Sequence, residues 1–390
     1  MLESNKYIKG LDGLRGLAVL MVMFYHFSHI NSVSHNSVDK IFSTILRIGW
    51  IGVDIFFVLS GFLITRILIW SKGSSIKQYL KVFYIKRSLR IFPLYFLYLI
   101  FIFAIFYPYI TSHVGLIEQQ KIKSAQDSIL WFFLYLSNIK QTINGTFFGA
   151  GLGHLWSLSI EEQFYIVWPF VIYFVKKENY KTLFSSLIVI TLALRIGMYL
   201  YGVNGEIIYV FTLTRIDGLI FGAYIAVLTM ENKPLAIDNK SIRNIFYILL
   251  IGCLATIGIL GPRVEMHPII YTLILSLLGL SFSLLIWLLN SKEPSSINKF
   301  FSSRFLVYFG KYSYGLYMFH PLIRQFIMKV IGSPKLILGS EIIWEIGVMI
   351  ICTIASLIVA LLSWNLFEKW FLKSKDFFLK KPLESSAIDS

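Results

Sequence analysis

The sequence predicts an all-α polytopic membrane protein of about ten transmembrane helices, with both termini cytoplasmic. Three observations predict it. The 390-residue chain is 56% hydrophobic and 15% charged, where soluble domains are about 45–50% apolar and about 25% charged; its mean hydropathy is +0.70. Apolar runs of about 20 residues, the length a bilayer core requires, recur from end to end. Basic residues gather in alternate connecting segments, 23 on one side against 7 on the other, as the positive-inside rule demands. The net charge of +15 is thus explained by topology, and no nucleic-acid partner is expected.

The candidate spans are 12–30, 50–70, 91–111, 154–175, 182–201, 208–230, 244–261, 269–290, 305–331 and 341–365. The first follows a basic start but lacks a cleavage site, so it reads as a retained helix rather than a signal peptide. Between the third and fourth, 127–148 is apolar but short and carries Ser137, Asn138 and Asn144. As a full crossing it would reverse every later loop and erase the charge asymmetry, so it reads as a re-entrant segment. Residues 1–370 then form one membrane domain, and 371–390 a basic cytoplasmic tail near anionic lipid. Cys253 and Cys352 stand singly in apolar runs, outside any CxxC pair. They read as structural thiols, and no metal site is expected.

A charge at mid-bilayer costs roughly 2.5–3.5 kcal/mol even on insertion scales, so polar residues within spans mark a polar interior. Arg15 and His26 share one apolar segment, eleven positions apart. That is about three helical turns and about 16 Å, so both project from one face. The pair predicts a tunnel with a cation near one mouth and a titratable base near the other. Histidine, with an unperturbed pKa near 6.5, suits proton removal from a hydroxyl. Asp54, one turn into the second span, either orients that imidazole, as carboxylates do in triads, or charges the start of its own helix.

The stretch GHLWSLSIEEQFYIVWP (153–169) puts His154, Ser157, Glu161 and Tyr165 on one helical stripe, with Glu162 turned away. Glu161 is the site candidate, expected near the depth of His26; ion pairing with Arg195 or Arg215 is the structural alternative. In TRIDGL, Arg215 and Asp217 are expected to pair with each other or with Glu162. Arg87 and Arg90, at i and i+3 beside Lys86, offer guanidinium forks that match phosphate oxygens. Pro93 is expected to break or begin a helix there. Alone this is an ordinary basic loop; beside Arg15 it is a site for a phosphorylated cofactor. Ser313, Tyr314 and His320 in GKYSYGLYMFHPLI either line the same tunnel or pack in the core, with a kink at Pro321.

Five segments in order, GLDGLRGLAVL…H (10–26), WIGVDIFFVLSGFLIT (50–65), KRSLRIFPLY (86–95), HLWSLSIEEQFY (154–165) and YSYGLYMFHP (312–321), resemble the membrane-bound acyltransferase 3 family over about residues 6–370. The resemblance implies transfer of an acyl group, usually acetyl, from cytoplasmic acyl-CoA (acetyl-CoA or another thioester) to a hydroxyl of an extracytoplasmic carbohydrate such as a surface polysaccharide. It implies that Arg15 and His26 form the essential pair, that Arg87 and Arg90 are the RxxR motif of acyl-CoA handling, and that Glu161 belongs to the SxxE segment. The location implied is the bacterial inner membrane. Many relatives carry a C-terminal hydrolase-like domain, expected to be absent here. That leaves open a separate soluble partner for the final transfer. The rival reading is a transporter or flippase of a sugar or lipid-linked saccharide, since intramembrane Arg, Glu and His also mark proton relays. No internal repeat is visible, which weighs against many transporter folds.

Overall fold

The computed structural model describes residues 7–28, 37–149, 151–231, 237–260, 267–291, 293 and 295–379. Apolar periodicity over these lengths produces helices throughout. In chain order they are α1 (Lys9–Phe27), α2 (Ser37–Arg47), α3 (Gly52–Ser71), α4 (Ile76–Phe101), α5 (Tyr107–Thr111), α6 (Leu116–Asp127), α7 (Ile129–Phe133), α8 (Ser137–Asn144), α9 (Leu155–Phe174) and α10 (Tyr180–Leu200). They continue with α11 (Gly205–Val210), α12 (Ile216–Met230), α13 (Asn239–Leu260), α14 (Leu275–Asn290), α15 (Ser296–Phe301), α16 (Arg304–Lys311), α17 (Ser313–Ile331), α18 (Ile342–Ser363) and α19 (Lys369–Leu379).

Among the described residues, six helical runs are long and apolar enough to cross a membrane: Ser37–Ser71, Ile76–Thr111, Lys177–Leu200, Asn239–Leu260, Ile270–Asn290 and Ile342–Leu379. Three more helices, α1, α9 and α17, have 19, 20 and 19 residues but are interrupted by the polar groups of the expected site. Each expected span contains a helix. The protein is an all-α, multi-pass membrane protein. Its outer helices turn apolar side chains away from the bundle, including Val189 and Ile190 on α10, Ile248 and Ile251 on α13, and Ile350 and Ile354 on α18. Such a contiguous apolar exterior belongs against acyl chains.

The stretch 127–148 breaks into α7 and the eight-residue α8. At about 1.5 Å per residue, eight residues fall far short of the roughly 30 Å hydrocarbon core. Its polar groups are satisfied inside the protein: Gln163 donates to the Tyr135 carbonyl (2.8 Å) and to Asn138 Oδ1 (2.9 Å), and Ser137 bonds Ser159 (2.8 Å). Non-helical backbone at membrane depth is tolerated under that condition.

The boundaries differ from expectation at four places. Pro93 lies inside α4, which starts at Ile76, where Ser75 accepts the Gln78 N–H (3.4 Å). The Lys86–Arg90 segment is therefore helical, not a loop; proline removes only its own donor, and packed neighbours absorb the loss. The span 305–331 is divided at Tyr312 into α16 and α17. The last span runs on through a π-turn (Trp364–Glu368) into α19, which packs on α4; residues 380–390 of the expected tail lie outside the described residues. Finally, α2 was not foreseen. It exposes Val38, Ile41 and Ile45 and buries Asp39, Ser43 and Leu46, a polarity pattern that whole-span hydropathy averages away.

Two close approaches fix the centre of the bundle. A Cβ on Gly61 of α3 would meet the Leu219 carbonyl oxygen at 1.8 Å, and one on Gly222 of α12 would meet that of Val58 at 1.9 Å. These glycines bring two backbones into contact, as small residues do between membrane helices. Around α3 and α12 stand α1, α9 and α17, which carry the polar residues inward.

Candidate active site

At one end of the bundle, α1, α3, α4, α9 and α17 enclose a cavity of about 120 Å³ lined by Arg15, Ser60, Arg87, Arg90, Glu161 and Tyr165, among others. The i, i+3 spacing on α4 aims Arg87 and Arg90 at the same space. Arg15 Nη1 donates to Asp12 Oδ1 (2.8 Å), and the Tyr7 hydroxyl donates to Asp12 Oδ2 (2.5 Å). The Arg87 guanidinium lies 5.9 Å from the Tyr165 ring centroid. The Tyr165 hydroxyl is hydrogen-bonded to Ser60. Arg15 and Arg90 also line an adjoining cavity of about 470 Å³, together with Lys9, Arg304, Lys311 and Asp12. Five cations and one carboxylate line this mouth.

Toward the opposite end, His26 lines a cavity of about 590 Å³ together with Trp50, His154, Trp156, Tyr209 and Arg324. His26 Nδ1 is 3.0 Å from His320 Nε2. His320 Nδ1 in turn lies 2.8 Å from the Tyr317 carbonyl and 3.2 Å from that of Leu316. Carbonyls only accept, so His320 carries its proton on Nδ1, and its Nε2, in the neutral ring, accepts. His26 Nδ1 must then be the donor, which leaves the lone pair of His26 on Nε2. The hydrogen-bond network thus assigns the tautomer a general base needs.

The two cavities share Val53 and Tyr317 in their walls. The Tyr317 hydroxyl donates to the His154 carbonyl (3.0 Å) and pairs with the Ser157 hydroxyl (2.6 Å). The expected tunnel is therefore two chambers in sequence, with one tyrosine between them.

The sequence-predicted residues divide between these chambers. Arg15, Arg87 and Arg90 come together, and Ser313 and Tyr314 join their lining. His26 and His154 lie in the other chamber, with His320 behind His26. Glu161 is not beside His26. It lies in the arginine chamber, because seven residues of α9 carry it about 10 Å along the axis from His154. Of the two roles open to Asp54, the structure supports the second: it lies in the first turn of α3, where its Oδ1 accepts from Arg215 (2.8 Å), and His320 rather than Asp54 is the partner of His26. Arg215 is flanked by Tyr209 and Phe57 at 4.7 and 5.3 Å. Arg195 pairs with Asp217 (2.5 Å), which also accepts from Ser276 (2.7 Å). Arg215 and Asp217 thus pair with other residues rather than with each other, and neither arginine takes a glutamate. Glu162 is buried with one carboxylate oxygen unpartnered among the described residues.

Sequence reasoning passed over Asp12, Tyr317, Arg304, Lys311 and Arg324. The first carried a signal, an aspartate three residues before Arg15 on the same helix. The others reach the site only through tertiary packing.

A multi-pass helical membrane protein with a cationic mouth at one end of its bundle and an imidazole chamber at the other is the class that fold and site define. Residues 8–364 match the family model described as an acyltransferase domain, acyltransferase 3, and the chain belongs to that family. It is 30% identical over 343 residues to the peptidoglycan O-acetyltransferase OatA of Listeria monocytogenes, covering 82% of this chain and 51% of that protein. It is 30% identical over 339 residues to a putative peptidoglycan O-acetyltransferase of Bacillus subtilis, YrhL, covering 82% and 50%. A putative O-acetyltransferase of Staphylococcus aureus is 31% identical over 294 residues, covering 72% and 46%. The chain spans about half the length of the curated relatives it matches. No solved structure matches it.

Proposed function

We propose that the protein is a membrane O-acyltransferase that moves an acetyl group from acetyl-CoA, entering at the Arg15 end, to a hydroxyl of a cell-wall glycan at the His26 end. The observation that carries this reading is the pair of chambers of opposite chemistry meeting at Val53 and Tyr317. The basic-residue asymmetry of the loops supports placing the Arg15 end in the cytoplasm, where acyl-CoA is made, and the family resemblance suggests the bacterial inner membrane. The relatives' names supply the glycan as acceptor.

In this reading the nucleotide phosphates lie in the mouth formed by Lys9, Arg15, Arg90, Arg304 and Lys311, with Arg87 deeper. The pantetheine arm passes the narrow arginine chamber and brings the thioester toward His26. From Arg15 to His26 is about 16 Å along α1, of the order of an extended pantetheine. An acceptor hydroxyl gives its proton to His26 Nε2 while its oxygen attacks the thioester carbonyl. The C–S bond of the tetrahedral intermediate breaks, the imidazolium returns the proton to the departing thiolate, and free CoA leaves by the mouth. General-base assistance of this kind is worth about 10²–10⁴-fold.

The test uses proteoliposomes of the full chain, radiolabelled acetyl-CoA and glycan strands. His26→Ala is expected to abolish label transfer while the protein still inserts. Undiminished transfer by that variant would remove His26 as the base. Movement of a saccharide across the bilayer with no acetyl-CoA consumed would establish a carrier instead.

A further inference from the structure

Arg324 stands in the His26 chamber without a counter-ion among the described residues. It follows His320 by four residues on α17, so it shares that helix face one turn, about 6 Å, away. It lines the same cavity as His26. Three other arginines drawn into the bundle have carboxylate partners: Arg15 with Asp12, Arg195 with Asp217 and Arg215 with Asp54. Arg87 and Arg90, which have none among the described residues, line the arginine chamber, and Arg324 is their counterpart in the His26 chamber. Arg324 forms no ion pair or hydrogen bond among the described residues, and its Nε is buried and unpartnered. Glu206, the other charged group of the lining, is not its partner. A half-buried guanidinium in a membrane-spanning bundle, with no counter-ion among the described residues, is unfavourable unless an anion occupies the site when the protein works.

The rest of the chamber narrows the class of anion. Trp50, Trp156 and Tyr209 present aromatic faces, and flat rings pack on the C–H faces of pyranoses. Trp50 and Trp156 each pack on Tyr209, with centroids 6.0 and 5.1 Å apart, so the three form one wall. The volume of about 590 Å³ lies within the range of small-molecule sites. Because α17 starts beside the arginine chamber, Arg324 lies on the far side of His320 from the acyl donor. It is placed to meet the acceptor rather than the thioester.

We propose that the acceptor is an acidic saccharide, whose carboxylate or phosphate docks on Arg324 while a neighbouring hydroxyl meets His26. This rests on the acyl-transfer reading and names the acceptor's chemistry. A bidentate guanidinium–oxyanion contact in this half-buried site gives an affinity gain of about ten- to a hundredfold.

The experiment is acetyl transfer by the full chain in proteoliposomes to matched probes. The probes are a neutral chito-oligosaccharide, a peptide-free glycan strand of the same backbone bearing a lactyl carboxylate on alternate sugars, that strand after carboxyl reduction, and a chito-oligosaccharide bearing glycerol phosphate. The expected result is a kcat/KM at least about tenfold higher for one acidic probe than for the neutral and reduced ones. Which acidic probe is preferred tells carboxylate from phosphate. Arg324→Gln is expected to remove most of that preference through KM, and Arg324→Lys to retain part of it. Equal transfer to acidic and neutral probes by the unaltered protein overturns the proposal while leaving acyl transfer standing, and this arm needs no variant to fold. So does an Arg324→Gln variant that slows every probe alike, because that assigns Arg324 to the reaction's own charge. Transfer to no probe, with acetyl-CoA left intact, overturns the acyl-transfer reading and this proposal with it.

Discussion

The Nδ1 of His26 lies 3.0 Å from the Nε2 of His320, so the two histidines, 294 residues apart in the chain, form one proton-ordering unit. The carbonyl of Tyr317 fixes the proton of His320, His320 fixes that of His26, and the lone pair is directed to Nε2. A carboxylate in the position of His320 would hold the same tautomer while adding a charge that must be desolvated. A neutral imidazole does so without one, which suits a site within the hydrocarbon layer.

His320 is therefore expected to act as a positioning residue. His320→Leu leaves the His26 Nδ1–H without its partner and frees the other tautomer. The expected fall in kcat is about 10–100-fold, the usual effect of removing an orienting partner, with KM for acetyl-CoA unchanged. His320→Gln, whose side-chain oxygen can accept from Nδ1–H, is expected to recover part of the rate. Equal losses in both variants would assign His320 to packing alone.

The cationic mouth predicts a donor-side phenotype. Arg90 lines both the mouth and the arginine chamber, so Arg90→Ala is expected to raise KM for acetyl-CoA about tenfold or more, the loss of one charge-assisted contact. Lys311→Ala, at a residue that lines the mouth but not the arginine chamber, is expected to have a smaller effect that fades as salt screens it. Steady-state kinetics at two ionic strengths checks both. An Arg90→Ala enzyme that keeps its KM but loses kcat would place this arginine at the reacting atoms instead.

That Arg15, Arg87 and Arg90 share one cavity and His26 lines another could be read from the sequence, because a cation or an imidazole in an apolar run has few explanations and regular helix geometry fixes the relative placement within each pair. Glu161 was misplaced for a related reason. A stripe shared with His154 says that two residues face the same way, but not that a tyrosine from α17 separates the spaces they face. Asp54 does sit at the start of its helix, but its ion pair could not be read because the partner, Arg215, is 161 residues away. Arg324 and Tyr317 carried no local signal at all: a lone arginine within α17 and a tyrosine among tyrosines acquire meaning only when α17 is packed against α1 and α9. The fold class was legible at once, since composition and span length determine it. The extension of α4 through Pro93 was not, since only neighbouring helices make an internal proline tolerable.

The Asp54–Arg215 pair yields a prediction that separates stability from catalysis. Asp54→Asn leaves Arg215 buried with its charge uncompensated, a loss of about 3–5 kcal/mol. The expected outcome is less folded protein in detergent and a lower midpoint of thermal unfolding. The double variant Asp54→Leu, Arg215→Met is expected to recover much of that stability, because it removes both charges. Fluorescence-detected gel filtration over a temperature series reads both variants. Activity per folded molecule in the double variant should remain within a few-fold of the unaltered protein. A deep loss of specific activity would return Asp54 to the site.

The glycine contacts make a graded prediction about the bundle itself. A Cβ on Gly222 would fall 1.9 Å from the Val58 carbonyl oxygen, whereas one on Gly252 of α13 would meet nothing within 4 Å. Both are mid-helix glycines, so propensity alone favours alanine at each by about 1 kcal/mol. Packing reverses the sign at Gly222, where α3 and α12 must separate and every side chain between them loses contact. Overpacking of this kind costs about 1–3 kcal/mol. Gly252→Ala is therefore expected to be neutral or stabilising, and Gly222→Ala clearly destabilising, with its effect on transfer running through folded yield rather than KM. Equal thermal midpoints for the two variants would mean that α3 and α12 do not meet backbone to backbone, and with that the placement of α9 and the chamber walls it supplies would fall.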